Sequence, residues 1–379
     1  MLFKSIIGQN EVKKHLIRSV REKRIGHAQL FLGQEGSGNL ALAIAFAQYI
    51  NCTDKQEDDS CGKCVSCLKF EKLIHPDLHF VFPVANTKSG SGPAVSNDFI
   101  KEWRETVLKN PYFGLNEWYA FIGMENKQGN IGKDESESIV RKLSLKTFEG
   151  EYKIMVIWMA EKMNESCANK ILKILEEPSD NTLFILVSES TEQILPTILS
   201  RTQLLKIPRL QEDEILTELE KKFGKERTEF KNIAHIANGN FSKALYLTEN
   251  QEPENENHVY FIELMRISYK KNVIEIMPWV DKVSALGREG LKTFFEYALH
   301  MVRENYLMNY NLDKIVYLND VETSFSKNFH IFIKDENINQ LVEEFTQAYI
   351  HIERNAYNKI VLLDMALKLF ALINPRKIA

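Results

Sequence analysis

Residues 27–51 read HAQLFLGQEGSGNLALAIAFAQYIN. A short apolar run enters a glycine-rich turn at Gly33, Gly36 and Gly38. It leaves directly into a stretch rich in Ala and large apolar residues, which favours a helix. Strand, glycine loop and helix in immediate succession are the local context of a phosphate loop. A strand that feeds a helix returns to its sheet by a crossover, so this stretch commits its domain to a parallel sheet covered by helices. The chemistry of the loop is incomplete. A working phosphate loop has a lysine where Asn39 stands, and a serine or threonine for Mg²⁺ where Leu40 stands. Both are charge-assisted interactions with the nucleotide, and without them its binding weakens by about 1.5–3 kcal/mol apiece. The residues alone leave two readings: a tight turn without ligand, or weak nucleotide binding by backbone amides.

Further apolar runs supply the rest of a sheet: DLHFVFPV at 77–84, KIMVIWM at 153–159, TLFILVS at 182–188 and QLLKI at 203–207. Helical spacing lies between them. Val12, Leu16, Ile17 and Val20 share one face of residues 10–24, and Phe99, Trp103 and Val107 one face of residues 98–109. An Asp-x-x-Glu pattern, Asp134 with Glu137, predicts a helix cap. NESCANKILKILEEP is a helix that must stop near Pro178. KSGSGPAVSN at 88–97 has the composition of a mobile loop. After Pro208 the strand signal fades. Residues 211–250 give three short helices with a break at HIANGNFSKAL, NQEPENENH (250–258) is a polar linker, and the remainder has helical period throughout. The expected domains are an α/β domain at 1–207, a small helical lid at 208–255 and an all-α domain at 256–379.

Four of the five cysteines form C-x8-C-x2-C-x2-C: Cys52, Cys61, Cys64 and Cys67. Two tight turns, CGKC and CVSC, converge three thiolates, and Cys52 at a helix end supplies the fourth. This is a tetrahedral Zn²⁺ set with no position left for water, hence structural. Cys167, between Ser166 and Ala168 in a helix, is expected to be a small core residue, and His75, His79 and His235 structural or exposed.

A nucleotide hydrolase also needs acids at the end of a second strand. KIMVIWMAEKMN ends in Trp158 and Met159, with Glu161 beyond the strand in the first turn of the next helix. Two independent losses point to a chain that does not hydrolyse ATP. In ILPTILSRTQ (194–203), Arg201 follows a strand and a turn. It is either an ordinary surface arginine paired to a carboxylate, or a finger that stabilises charge on a phosphate held by a neighbour.

Lys plus Arg is 48 against Asp plus Glu at 52, a formal charge of −4. That disfavours a free-standing DNA-coating protein and suits a subunit whose partners are proteins. No run approaches the about 20 apolar residues of a membrane helix, and MLFKSIIGQNEVKKH lacks the core of a signal peptide, so a cytoplasmic protein is expected.

Taken together, IIGQ at 6–9, HAQLFLGQEGSG at 27–38, the four cysteines, HPDLHF at 75–80, AEKMNESCANKILKILEEP at 160–178 and LPTILSRT at 195–202 resemble, in order, the AAA+ clamp-loader family of the bacterial DNA polymerase III holoenzyme. The motifs cover residues 1–250, and the remainder is similar only in helical character. The resemblance implies an AAA+ domain with a zinc module at 52–67, a helical lid and a C-terminal collar that oligomerises. It also implies a non-hydrolysing stator within a hetero-pentamer of motor and delta subunits, which loads the sliding clamp onto primer–template DNA during replication. Arg201 would be the finger offered in trans to a motor subunit's ATP, with Thr202 replacing the family's Cys. GNFSKAL (239–245) is similar to the family's second sensor segment, with Ser242 in place of its Arg and Lys243 beside it. One region departs from the pattern: about 85–133, rich in Trp103, Tyr112, Phe113, Trp118, Tyr119 and Phe121, is longer than in many relatives. It either packs on its own domain or meets a partner. Two other functions stay open on sequence: a self-sufficient AAA+ ATPase with an unusual phosphate loop, and a zinc-dependent nucleic-acid-binding protein.

Overall fold

The computed structural model describes residues 1–85, 93–124, 129–144, 146–249, 256–310 and 315–373. Two compact units divide between Glu249 and Asn250.

The first unit is built on β1 (Ala28–Leu32), β2 (Leu78–Val81), β3 (Lys153–Trp158), β4 (Thr182–Ser188) and β5 (Gln203–Lys206), all parallel, in the order β2-β3-β4-β1-β5. The registers Phe31↔Val187 and Ile157↔Leu186 place the apolar runs of β1, β3 and β4 at the centre, where both faces are covered. On one face pack α1 (Asn10–Arg21) and α2 (Asn39–Asn51), with every residue of α2 buried, followed by α3 (Val65–Glu71). That burial explains why α2 carries small alanines on every side and no charge. The same core takes in Trp103 from α4 (Ile100–Lys109) and Trp118 from α5 (Leu115–Phe121). The other face is covered by α6 (Lys133–Ser144) and α7 (Glu165–Glu176), with the short α8 (Pro196–Leu199) next to α7; Cys167 is fully buried there, as its neighbours suggested.

Three details differ from the sequence expectation. Helix α6 begins at Lys133, so Asp134 lies inside its first turn, and Glu137 pairs with Lys170 at 2.7 Å. Glu161 sits in a separate 3₁₀ turn, Ala160–Lys162, because Asn164 caps α7 three residues later by accepting from Cys167 N–H. Of the glycine- and serine-rich stretch, residues 88–92 lie outside the described residues, while Ser96 is buried and exchanges hydrogen bonds with the backbone of Phe82.

The unit closes with α9 (Glu212–Phe223), α10 (Arg227–Ala237) and α11 (Phe241–Glu249), the three short helices the sequence indicates, around Ile215, Leu219, Phe230 and Ala244. Asn238 and Gly239, both at positive φ, make the break between α10 and α11.

Among its described residues the second unit has helices and no strand: α12 (Glu256–Lys270), α13 (Val273–Ser284), α14 (Gly287–Met308), α15 (Asp320–Phe329), α16 (Ile338–Glu353) and α17 (Asn358–Ile373). Its core holds Phe261, Trp279, Phe294, Phe345 and Leu369. The polar linker is shorter than its composition suggests, since Glu256, Asn257 and His258 already belong to α12; residues 250–255 lie outside the described residues. Among the described residues no helix is long and apolar enough to cross a membrane.

Candidate functional site

The glycine loop lies at the carboxyl end of β1, the position at which open parallel sheets bind ligands. Gly33 N–H continues the ladder to Ser188 O at 3.1 Å, and Gly36 (φ 72°) and Gly38 (φ 88°) turn the chain back into α2. Only glycine takes such backbone without strain. Asn39 does not reach outward. Its Nδ2 donates to Gly33 O at 2.8 Å and its Oδ1 accepts from Leu40 N–H at 2.8 Å. The side chain thus uses up an α2 N-terminal amide of the kind that binds phosphate. Gly33, Gly36, Ser37, Gly38, Asn39 and Leu40 are all buried.

Two segments cover the loop. From the three-helix part, Phe241 N–H donates to Gly36 O at 3.2 Å, and a Cβ on Gly36 would lie 2.0 Å from Asn240 Oδ1. Arg209 hydrogen-bonds Gln34, and Asn240 Nδ2 donates to Glu35 Oε1 at 3.1 Å. From the segment before α5, Tyr112 stands over Gly38, its ring carbon 3.0 Å from where a Cβ would be.

Strand β3 ends in Trp158, followed by Met159, and not in an acid. Trp158 packs on Trp103 and Phe113 with centroids 5.2 and 5.0 Å away, and Met159 turns at positive φ. Glu161 is buried, and burial outweighs the hydrogen bonds to its charged form, so its carboxyl is pushed above its ordinary value. One of these comes from Glu189 N–H to Oε1 at 3.0 Å, on the chain leaving β4, whereas Oε2 is buried without a hydrogen-bond partner among the described residues. Ser242 is also buried and faces Asn110 and Glu117.

Arg201 lies in the turn between α8 and β5. Its guanidinium is 2.5 Å from Glu176 Oε1 and donates to Thr197 O at 2.8 Å, with the side chain about a third exposed (34%). An exposed pair of this kind is worth less than about 1 kcal/mol, so it does not hold the arginine against a better anion.

The four cysteines converge. All four sulfurs lie within 4.8 Å of one another, with Cys52–Cys61 at 3.6 Å and Cys61–Cys67 at 3.9 Å. Tetrahedral zinc with Zn–S near 2.3 Å requires sulfurs about 3.8 Å apart, so the set fits the ion. Three backbone amides support the sulfurs: Cys61 N–H points to Cys52 Sγ, Cys64 N–H to Cys61 Sγ and Cys67 N–H to Cys64 Sγ, at 3.3–3.4 Å. Amides aimed at the sulfurs in this way stabilise thiolate charge. The module is tied to the chain start by Asp59, whose carboxylate accepts from Phe3 and Lys4 N–H at 3.0 Å each.

Three residues have roles here that the sequence did not signal. Tyr112 and Asn240 carried no local mark of contact with the loop. Asp77 lies in the HPDLHF motif, but its role is tertiary. Its buried carboxylate accepts from Phe148, Glu149 and Gly150 N–H at 2.6, 2.9 and 2.7 Å, anchoring the approach to β3.

Residues 8–211 match the family described as DNA polymerase III, delta subunit. The chain is 29% identical to the DNA polymerase III subunit delta' of Bacillus subtilis over 203 residues, 54% of this chain and 48% of that one. It is also 29% identical to the delta' subunit of Haemophilus influenzae over 273 residues, 71% and 69% of the two chains. The match thus spans about half the length of the Bacillus relative. A gamma subunit-related protein of Thermotoga maritima superposes with a TM-score of 0.43 at 14% identity, covering 96% of this chain and 99% of that one, too loosely to carry an argument.

Proposed function

The chain belongs to the DNA polymerase III delta-subunit family, and from that premise we propose that it acts as a delta-prime-type stator of a clamp loader. In this reading it neither binds ATP productively nor hydrolyses it. It joins motor and delta subunits in a hetero-pentamer, and its partners open the sliding clamp and load it on primed DNA. The observation that supports the reading is the burial of the loop's glycines, with Asn39 turned inward and β3 ending in Trp158 packed on Phe113.

Arg201 is the residue we assign to the shared chemistry. Its position on an exposed turn, held only by Glu176 and local acceptors, lets it exchange partners when a neighbouring subunit brings a phosphate. Arginine fingers contribute about 10³–10⁵ in rate, or about 4–7 kcal/mol of barrier, at the site they serve. The four-cysteine module, with zinc, braces the fold and takes no part in the reaction. The helical second unit is assigned to the collar.

Arg201→Ala should abolish turnover at the one ATP site that this subunit faces in a reconstituted loader, while the complex still assembles on a sizing column. Unchanged single-site turnover would remove the finger role. Micromolar ATP binding with turnover by the isolated chain would overturn the stator reading as a whole.

A further inference from the structure

The segment from Asn110 to Trp118 occupies the space between the glycine loop and the three-helix part, and side chains along it find partners on both sides. Tyr112 is 6% exposed and belongs to the apolar core of α9–α11, with Leu210, Ile215 and Phe241, although it comes from a segment about a hundred residues earlier in the chain. Its ring meets Phe241 edge-on at 5.2 Å, its edge rests on Gly38, and its hydroxyl accepts from Ile7 N–H at 2.8 Å. Gly114 lies flat against the Glu35 carboxylate, with a Cβ there only 2.2 Å from its carboxyl carbon. That carboxylate in turn accepts from Asn240. Asn110 Nδ2 donates to Ser242 Oγ at 3.2 Å, and Ser242 Oγ donates to Glu117 Oε1. Phe113 packs against Trp158 at the end of β3.

We propose that residues 110–118 are a built-in ligand of the degenerate nucleotide site, bridging the glycine loop to α11 and fixing the angle of the three-helix lid. This rests on the reading that the loop holds no nucleotide. A diffusible ligand between two elements holds their angle only while bound, and shifts it only by its differential affinity for the two states. A tethered segment is present at an effective concentration in the millimolar range and never leaves. The lid therefore keeps one orientation whatever the nucleotide supply. Of the aromatic residues in the long excursion Tyr112 makes this contact, while Trp103, Phe113, Trp118 and Tyr119 pack in the core on the sheet face. An aromatic ring suits the bridge because it buries much area and loses few rotatable bonds on doing so. Ser242 then has a positive role, since a longer residue at that position would displace Asn110 and Glu117.

Amide hydrogen exchange on the full chain tests the bridge. In Tyr112→Ala, exchange across α9–α11 should accelerate about tenfold or more, while β3 and β4 stay within about twofold of wild type. Glu117→Ala, an exposed substitution that leaves the core intact, should accelerate α11 by about threefold, together with the first turn of α5, whose Gly114 N–H the carboxylate also accepts. Unchanged exchange in α11 in both variants overturns the proposal. So does an acceleration spread equally over the sheet, which would make Tyr112 an ordinary core residue. If Tyr112→Ala does not fold, Glu117→Ala together with Tyr112→Phe, which keeps the ring and loses the bond to Ile7, decides the matter by the same criterion. A fluorescent ATP analogue added to the wild-type chain separates the two readings. Tight binding there would sink the nucleotide-free site itself, whereas absent binding with unchanged α11 exchange would sink only the bridge.

Discussion

Asp77→Asn is the sharpest probe of how the first unit is held together. The carboxylate accepts three backbone N–H groups, one on Oδ1 and two on Oδ2, from residues 148–150 just ahead of β3. An asparagine retains one acceptor oxygen and turns an NH₂ toward at least one of these amides, leaving it unpaired in a buried place. Hydrogen bonds to a charged group are worth about 1.5–3 kcal/mol each, and an orphaned buried donor costs about 1–3 kcal/mol. The expected destabilisation is about 2–4 kcal/mol, which for a unit of this size is a drop in melting temperature of about 4–16 °C. The pH dependence supplies an independent check. Burial pushes the Asp77 carboxyl up, but the three amides outweigh it and hold it below its ordinary 3.8. A carboxyl lowered on folding contributes stability that is fully present above the unfolded value and lost as pH falls through the folded one. The difference between wild type and Asp77→Asn should therefore be constant from neutral pH down to about 4 and shrink below it. Thermal melts followed by circular dichroism across that range measure it. A difference under about 1 °C at pH 7, or one that does not shrink in acid, would refute the assignment of the carboxylate as a charged anchor.

Metal analysis should find one zinc per chain. Chelation or acidification, which protonates the thiolates, should release it and speed amide exchange at Phe3 and Lys4, the residues tied to Asp59; a metal-free chain with unchanged exchange there would count against the module. Restoring the loop chemistry with Asn39→Lys and Leu40→Thr should not give micromolar ATP binding, because the covering residues remain and the new ammonium is buried without an anion. Equilibrium binding by the double variant would contradict this. Glu176→Gln should leave melting within about 1 kcal/mol of wild type and leave loader turnover unchanged or raised, since it frees Arg201 from an exposed pair. A fall in turnover would mean that Glu176 orients the guanidinium.

The amino-acid sequence by itself determined the elements and the local chemistry. Continuous apolar runs such as TLFILVS, between strand-breaking neighbours, favour a strand covered on both faces, and the alanine-rich NLALAIAFAQYIN favours a helix; both are borne out, and α2 is buried along its whole length. The cysteine spacing indicated four thiols that could hold a metal, and the short turns do bring their sulfurs together. Asn39 and Leu40 stand in the sequence where a working phosphate loop would have Lys and Ser or Thr. Only the tertiary structure decided what packs around the loop. Tyr112 meets Phe241 from far along the chain, and Asp77 meets Phe148 across 71 residues, pairings for which no period or spacing leaves a trace. Arg201 faces Glu176 for the same reason: α7 and the turn before β5 are brought together by the sheet. Local sequence sets backbone preference and burial pattern, whereas pairings between distant segments follow from how the finished layers close on one another.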